Sequence, residues 1–327
     1  MIVFPTEALW MIHPAWFNNA LPQLRNLDAR AFETQAAAPA RPRTGGVPTQ
    51  SGRIAFIEIT GPLSKYQSLW SYYFGGTAML ETAVKIRAAT LDPNIDGVLL
   101  YIDSPGGTVA GTLDLADAVY RARESKPVVA LISDLGASAA YWIASQASHV
   151  IANSTAMVGS IGTYMVIPDW SKAYESEGIK VHVVRAGDFK GAGLPGTTVT
   201  DEQIADFQRI IDSQNRQFLG GVARGRGLPP DRVRALNDGR IHVGAEAKRE
   251  NLVDAIGGID DALAELAQRL PKRLPQQDLS GMRADLAEAR IHHVRKGHRA
   301  HTFSAELQAS QPDLFAAASA AGLLSDL

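Results

Sequence analysis

Apolar residues along the chain change their period several times, and the changes mark out its elements. "IAFIEI" (54–59) reads as a strand, and the near-continuous apolar runs "GVLLYID" (97–103) and "PVVALIS" (127–133) read as strands buried on both faces. "HVIAN" (149–153) and "KVHVVRA" (180–186) predict two more short strands. Helical spacing predicts helices around 77–91, after residue 109 with Val109, Leu113, Ala116 and Tyr120 on one face, and within "DLGASAAYWIAS" (134–145). A long helix opens at Thr200, which with Gln203 forms a capping box, and Ile204, Phe207, Ile211, Phe218 and Val222 recur along it. A compact close, "DGRIHVGAEAKRENLVDAIGGIDDALAELAQRL" (238–270), follows, and Pro271 and Pro275 bracket its end. Strands alternating with helices predict an α/β fold with mainly parallel sheet.

The flanks have a different texture. Residues 1–30 hold a short amphipathic segment with Trp10, Trp16 and Leu21, expected to be a helical extension. "AAAPARPRTGGVPTQSG" (36–52) reads as a linker. The last fifty or so residues are Ala-rich and weakly periodic, and are expected to form helices or remain partly disordered. The expected division is therefore 1–52, 53–271 and 272–327.

Composition narrows the function classes. The chain of 327 residues has a formal net charge of -2, which gives no sign of a nucleic-acid partner. It has no cysteine, which excludes disulfides and thiolate chemistry. The N-terminus lacks a basic n-region, and no run of about 18 apolar residues occurs, so no membrane role and a cytoplasmic location are expected.

Three glycine-bearing turns and one lysine carry the candidate chemistry. In "YIDSPGGTVAG" (101–111) a strand ends at Asp103, and Gly106 and Gly107 precede a helix. Such a turn is either an ordinary strand-to-helix connection or a cradle whose N–H groups bind a developing oxyanion. In "GASAA" (136–140) Ser138 sits between small residues where a strand meets a helix. Ser138 fits a helix N-cap, or a nucleophile elbow in which Ala139 N–H is an oxyanion donor. A serine nucleophile needs a base. His149 and His182 both fall in strand patterns and read as structural. Lys190 in "RAGDFKGAG" (185–193) follows a strand pattern in a loop with Gly187, Gly191 and Gly193. It is either a solvated loop lysine or a base, a role that requires the neutral form favoured by apolar burial. Ser160 in "MVGSIGT" (157–163) belongs to a glycine turn, or orients that amine.

Taken together and in order, "DGVLLYIDSPGGTVAG", "LGASAAYWIAS", "AMVGSIGT", "RAGDFKGAG" and "LNDGRIHVGAEAKRENLVDAIGGIDDAL" resemble the S49 peptidases, the signal peptide peptidase A-like serine proteases. The resemblance covers roughly residues 53–270. It implies a fold related to the Clp protease subunit and to crotonases, with repeated β-β-α units. It also implies a Ser138–Lys190 dyad, with the lysine 52 residues after the serine, Ser160 supporting the lysine, and Gly107 and Ala139 forming the oxyanion hole. Gly106, Thr108, Val109, Gly159, Ile161 and Gly162 are expected to line an extended substrate. Clp-type subunits place a histidine some twenty-five residues after the serine; here "SIGTY" stands instead, which favours a lysine base. Asn251 stands where the family usually has glycine, a position tolerant of a left-handed backbone. The expected lack of an N-terminal anchor, together with "EALWMIHPAW", "FGGT" (74–77) and the tail, resembles the phage-encoded branch.

The resemblance implies a homo-oligomeric ring, a polypeptide substrate, capsid or scaffold proteins as partners within a phage prohead, and no cofactor or metal. Two competing readings are a non-catalytic assembly scaffold and a crotonase-like acyl-CoA enzyme. The "ARIHHVRKGHRAH" stretch (289–301) reads as a solvated basic patch.

Overall fold

The computed structural model describes residues 10–12, 47–49, 52–67 and 76–271. Residues 13–46, which hold most of the amphipathic segment and of the 36–52 linker, and the tail from 272 with its histidine-rich stretch lie outside the described residues.

The fold is mixed α/β with mainly parallel sheet. Its centre is three parallel strands, β3 (Gly52–Thr60), β6 (Gly97–Ser104) and β8 (Val128–Ala137), in the order β3-β6-β8. β8 is long enough to serve two neighbours. Its first half pairs in parallel with β9 (His149–Ala152), and its last three residues pair in parallel with β10 (Met157–Gly159). β12 (Ala255–Ile256) extends β9, and β11 (Ile241–Val243) runs antiparallel beside β10. At the other edge, β2 (Val47–Thr49) runs antiparallel to β3. A small second sheet has the order β1-β7-β4-β5, built from Trp10–Ile12, Gly106–Thr108, Leu63–Ser64 and Thr77–Ala78.

The apolar runs of β6 and β8 are continuous because both faces of these strands are covered. Val98, Leu100, Ile102, Val128, Ala130 and Ile132 face one core with helices α1 (Met79–Leu91), α2 (Thr112–Ser125), α3 (Ala139–Ala144) and α5 (Asp201–Arg226). Leu99, Val129 and Leu131 face the other, against Ala262 and Leu266 of α8 (Ile259–Arg269). Between them lie three short helices, α4 (Ser171–Ser176), α6 (Pro230–Ala235) and α7 (Ala245–Arg249). Among the described residues no helix is long and apolar enough to cross a membrane.

Three expectations need correction. The described parts of the N-terminal region, Trp10–Ile12 and Val47–Thr49, are strands that find sheet edges, not helix. The buried face of α2 is Leu115, Ala116, Val119 and Ala122, while Leu113 is exposed. The sequence frame began at Val109, but the left-handed Gly111 starts the helix at Thr112 and rotates the face. "KVHVVRA" is not a strand. Val181 and Val183 are half-buried and alternate with exposed His182 and Val184, but no neighbouring strand supplies a ladder among the described residues. Alternation without a partner leaves a loop.

The long helix follows its caps closely. Thr200 Oγ1 accepts the Gln203 N–H and Gln203 Oε1 accepts the Thr200 N–H, while Gly227 ends the helix in the left-handed region. Of its apolar series, Phe218 and Val222 are buried, whereas Ile204 is exposed.

Candidate active site

Two strand ends and the turns that follow them build the site. β6 and β8 pair in parallel to their tips, where, past a bulge after Ile102, Ser104 lies opposite Gly136. The chain therefore delivers the "SPGG" turn and the "GASAA" turn side by side. Gly106 takes φ +97°. Ser104, fully buried, fixes this turn: its hydroxyl donates to Gly61 O at 2.6 Å and accepts the Gly106 N–H at 3.2 Å. A Cβ on Gly107 would lie 1.8 Å from Leu63 O, because β7 runs hard against β4 there. Only glycine fits at that position.

Ser138 is buried and adopts φ 56°, ψ -123°. An N-cap serine has an extended backbone and a side chain that accepts from its helix; Ser138 has neither. The cap alternative is thereby removed. The turn places the serine on a strained strand-to-helix corner, which is the geometry of a nucleophile elbow. Ala139, fully buried, is the first residue of α3, where amides lack intrahelical partners.

The elbow is tied to the third turn. Ser138 N–H donates to Gly159 O at 2.7 Å, and Gly159 is also the register partner of Ala137. Gly159 takes φ +110° and Ser160, the next residue, φ 49°. Ser160 N–H donates to Arg240 O at 2.7 Å, and Ser160 and Ile161 are buried. Ser138, Ser160, Gly107 and Ala139 thus converge from three turns.

From behind, α5 clamps α3. Trp142 stacks on Phe218 with centroids 5.2 Å apart, and Gly221 and Gly225 let α5 close onto Trp142 and the Ser145 carbonyl. Buried Gln146 donates to Gly221 O at 2.9 Å and accepts from Arg224. Tyr141 OH donates to Leu252 O at 2.9 Å, pinning the same helix from a second side.

No hydrogen bond or ion pair ties Lys190 to this cluster among the described residues. Lys190 is exposed in a run of turns, with its N–H on Gly187 O at 3.1 Å, and among the described residues its amine has no hydrogen bond or ion pair. Gly187, Gly191 and Gly193 around it have φ of +95°, +79° and +75°, so this loop does need its glycines. The same excursion exposes Val166, Trp170, Ile179, Val184, Phe189 and Leu194.

Neither sequence-considered histidine replaces the lysine. His149 is opposite Val129, eight residues down β8 from Ala137, roughly 26 Å away at strand rise. There it faces Asp254, Glu265 and Arg269. His182 is exposed in the loop. Sequence reasoning missed Ser104, Gln146, Arg240 and His242. Their contributions depend on which carbonyl or turn lies opposite, and no periodicity records that. His242 lies beside Gly159, but its Nδ1 is 3.2 Å from Glu246 Oε1.

The arrangement offers a strained serine and adjacent turn amides, features that suit acyl transfer. Comparison with known proteins agrees with that class. The model of "Peptidase family S49" matches residues 121–272. Capsid assembly protease C of Escherichia phage lambda is 32% identical over 230 residues, 70% of this chain and 52% of that protein. Head-tail preconnector protein GP5 of Enterobacteria phage P21 is 32% identical over 217 residues, 66% of this chain and 43% of that protein. The slr0021 protein of Synechocystis sp. is 30% identical over 210 residues, 64% of this chain and 72% of that protein. This chain belongs to peptidase family S49. It spans about half the length of the two phage relatives it matches.

Proposed function

We propose that this chain is a serine endopeptidase that works through an acyl-enzyme on Ser138. The observation that carries the reading is Ser138 itself: positive φ, no cap bond, and an amide fixed to the Gly159 turn. Strain of this kind persists only where the surroundings impose it, and it clusters at working sites. The order of strands and helices is compatible with a Clp-subunit/crotonase-like fold of β-β-α units.

In this reading Ser138 Oγ attacks the peptide carbonyl while neutral Lys190 takes its proton. Gly107 and Ala139 N–H groups hold the tetrahedral oxyanion, and Lys190 then protonates the leaving amine. Water attacks the ester by the same route and releases Ser138. Ser160 orients the lysine amine. Gly106, Thr108 and Val109 on one side, and Gly159, Ile161 and Gly162 on the other, accept the extended substrate. Removal of one oxyanion donor costs about 3 kcal/mol of barrier.

Lys190 of a neighbouring copy completes the site. The support is its exposed position, without a hydrogen bond or ion pair in its own chain, on an excursion that also exposes several large apolar side chains. A ring of copies would bury both, and burial favours the neutral amine that a base requires.

The two phage relatives suggest capsid- or scaffold-associated proteins as substrates, cleaved during head assembly within the prohead. Mass spectrometry of such proteins incubated with wild type and Ser138→Ala tests the reading. Cleavage by wild type alone is expected; identical patterns from both would refute the role of Ser138.

A further inference from the structure

The strand position on β7 is already occupied. β1 runs antiparallel along β7, with Trp10 opposite Thr108, Met11 opposite Gly107 and Ile12 opposite Gly106. The other side of β7 is taken by β4, where Leu63 pairs with Gly107. β7 therefore has one edge on which to receive an extended peptide, and the chain's own N-terminal segment lies on it.

We propose that the segment around Trp10–Ile12 is a built-in substrate mimic. It holds the peptide-accepting edge of Gly106–Thr108 and must leave before a substrate strand can pair there. The proposal rests on the peptidase reading for its effect on turnover; competition for the edge does not depend on it.

Three observations support it. The pairing is antiparallel strand addition, the general way extended peptides dock on a sheet edge through main-chain bonds. It spans Gly107, whose amide the mechanism uses, so occupant and substrate exclude each other at the reacting centre. Ser138 is only 2% exposed in the same structure, with this edge occupied. The device is also suited to release. β1 has only three residues, and 34 residues separate Ile12 from Val47 of β2, so the occupant is tethered and exchanges intramolecularly. A free peptide must compete with that local concentration, which sets a threshold favouring substrates held by a second contact.

A reversible lock tests this in the full chain. Trp10 and Thr108 are direct register partners, so their Cα atoms are about 4.5–5.5 Å apart, within the span of a disulfide. The chain has no cysteine, so Trp10→Cys with Thr108→Cys creates the sole pair. Two readouts are taken on the oxidised and reduced forms. One is hydrolysis of a quenched fluorescent peptide. The other is anisotropy of a labelled peptide of sequence PTEALWMIHPAW (residues 5–16), measured with Ser138→Ala added. The expected result is loss of hydrolysis and of peptide binding on oxidation, and return of both with reductant.

In the unlocked direction, Trp10→Pro with Met11→Pro removes at least one ladder donor whichever face of β1 is turned to β7. KM is expected to fall about tenfold with kcat unchanged, if the segment holds the edge nine-tenths of the time. Equal hydrolysis and equal peptide affinity in the oxidised and reduced forms would overturn the proposal. If no form hydrolyses any peptide but binding still follows the redox state, the mimic stands and the peptidase reading falls. If hydrolysis is strong and indifferent to the lock, the reverse holds.

Discussion

Ser138 occupies a backbone region that costs a non-glycine residue about 1–3 kcal/mol. Two bonds impose it: the Ser138 amide on Gly159 O, and the Ser138 carbonyl receiving Trp142 N–H at 3.0 Å. Ser138→Gly and Ser138→Ala should therefore both be inactive yet differ in stability, with the glycine variant more stable by about 1 kcal/mol after its extra chain entropy is counted. Urea denaturation checks this; equal midpoints would mean that the corner relaxes. A second pair of variants addresses the base. Lys190→Ala should remove turnover without unfolding the chain, while His242→Gln should retain most of it, because His242 is engaged with Glu246. Near-normal activity in Lys190→Ala would end the dyad reading. At this scale the sequence singled out three positions that take a positive φ, Ser138 at 56°, Ser160 at 49° and the permissive Asn251 at 59°. Ser104 escaped notice because its role is to bridge Gly61 O and Gly106 N–H, 43 and 2 residues away in sequence.

Elements were legible where burial on a known period decides them, and illegible where a partner decides. β6 and β8 announce themselves because two cores cover them, and α5 because its cap and its apolar series agree. The 180–186 stretch has strand chemistry but no ladder among the described residues, and Trp10–Ile12 come from a segment of helix-like apolar content but have a sheet edge to join. The clamp of α5 on α3 was equally hidden, because "FLGGVARG" reads as a weak point in a helix rather than as a contact. A Cβ on Gly221 would lie 2.0 Å from Trp142 Nε1, and one on Gly225 2.3 Å from Ser145 O. Gly221→Val should cost about 2–3 kcal/mol by overpacking. It should also depress kcat more than KM, since α3 carries Ala139 and fixes the elbow. A thermal melt with kinetics on the folded fraction measures both, and a destabilised variant with unchanged kcat would show that the clamp is structural only.

At the scale of the whole molecule, acid and assembly are the two levers. Burial raises the Asp254 pKa, but bidentate bonds from Arg226 at 2.6 and 2.8 Å and the Val150 N–H hold it below the ordinary carboxylate value. Burial holds His149 below its ordinary value against the pull of Asp254 and Glu265. Both groups bind more protons unfolded than folded, so both stabilise the fold at neutral pH. The His149 contribution is lost as pH falls below about 6.5, and the Asp254 contribution below about 4. Asp103 opposes the second step, since burial and the neighbouring Asp134 charge raise its pKa. Stability should thus decline in two stages on acidification, and Asp254→Asn should remove the lower one at a cost of roughly 2–3 kcal/mol, because Arg226 is left buried and unpaired. If Lys190 serves a neighbour, neither Ser138→Ala nor Lys190→Ala has a complete site alone, but a co-assembled equal mixture does. Each site then draws a competent serine from half the chains and a competent lysine from the other half, so about a quarter of the wild-type activity should return in a closed ring. Co-expression from one plasmid, with activity per mole of purified oligomer, measures this. Dyads within single chains would leave the mixture as inactive as its parts.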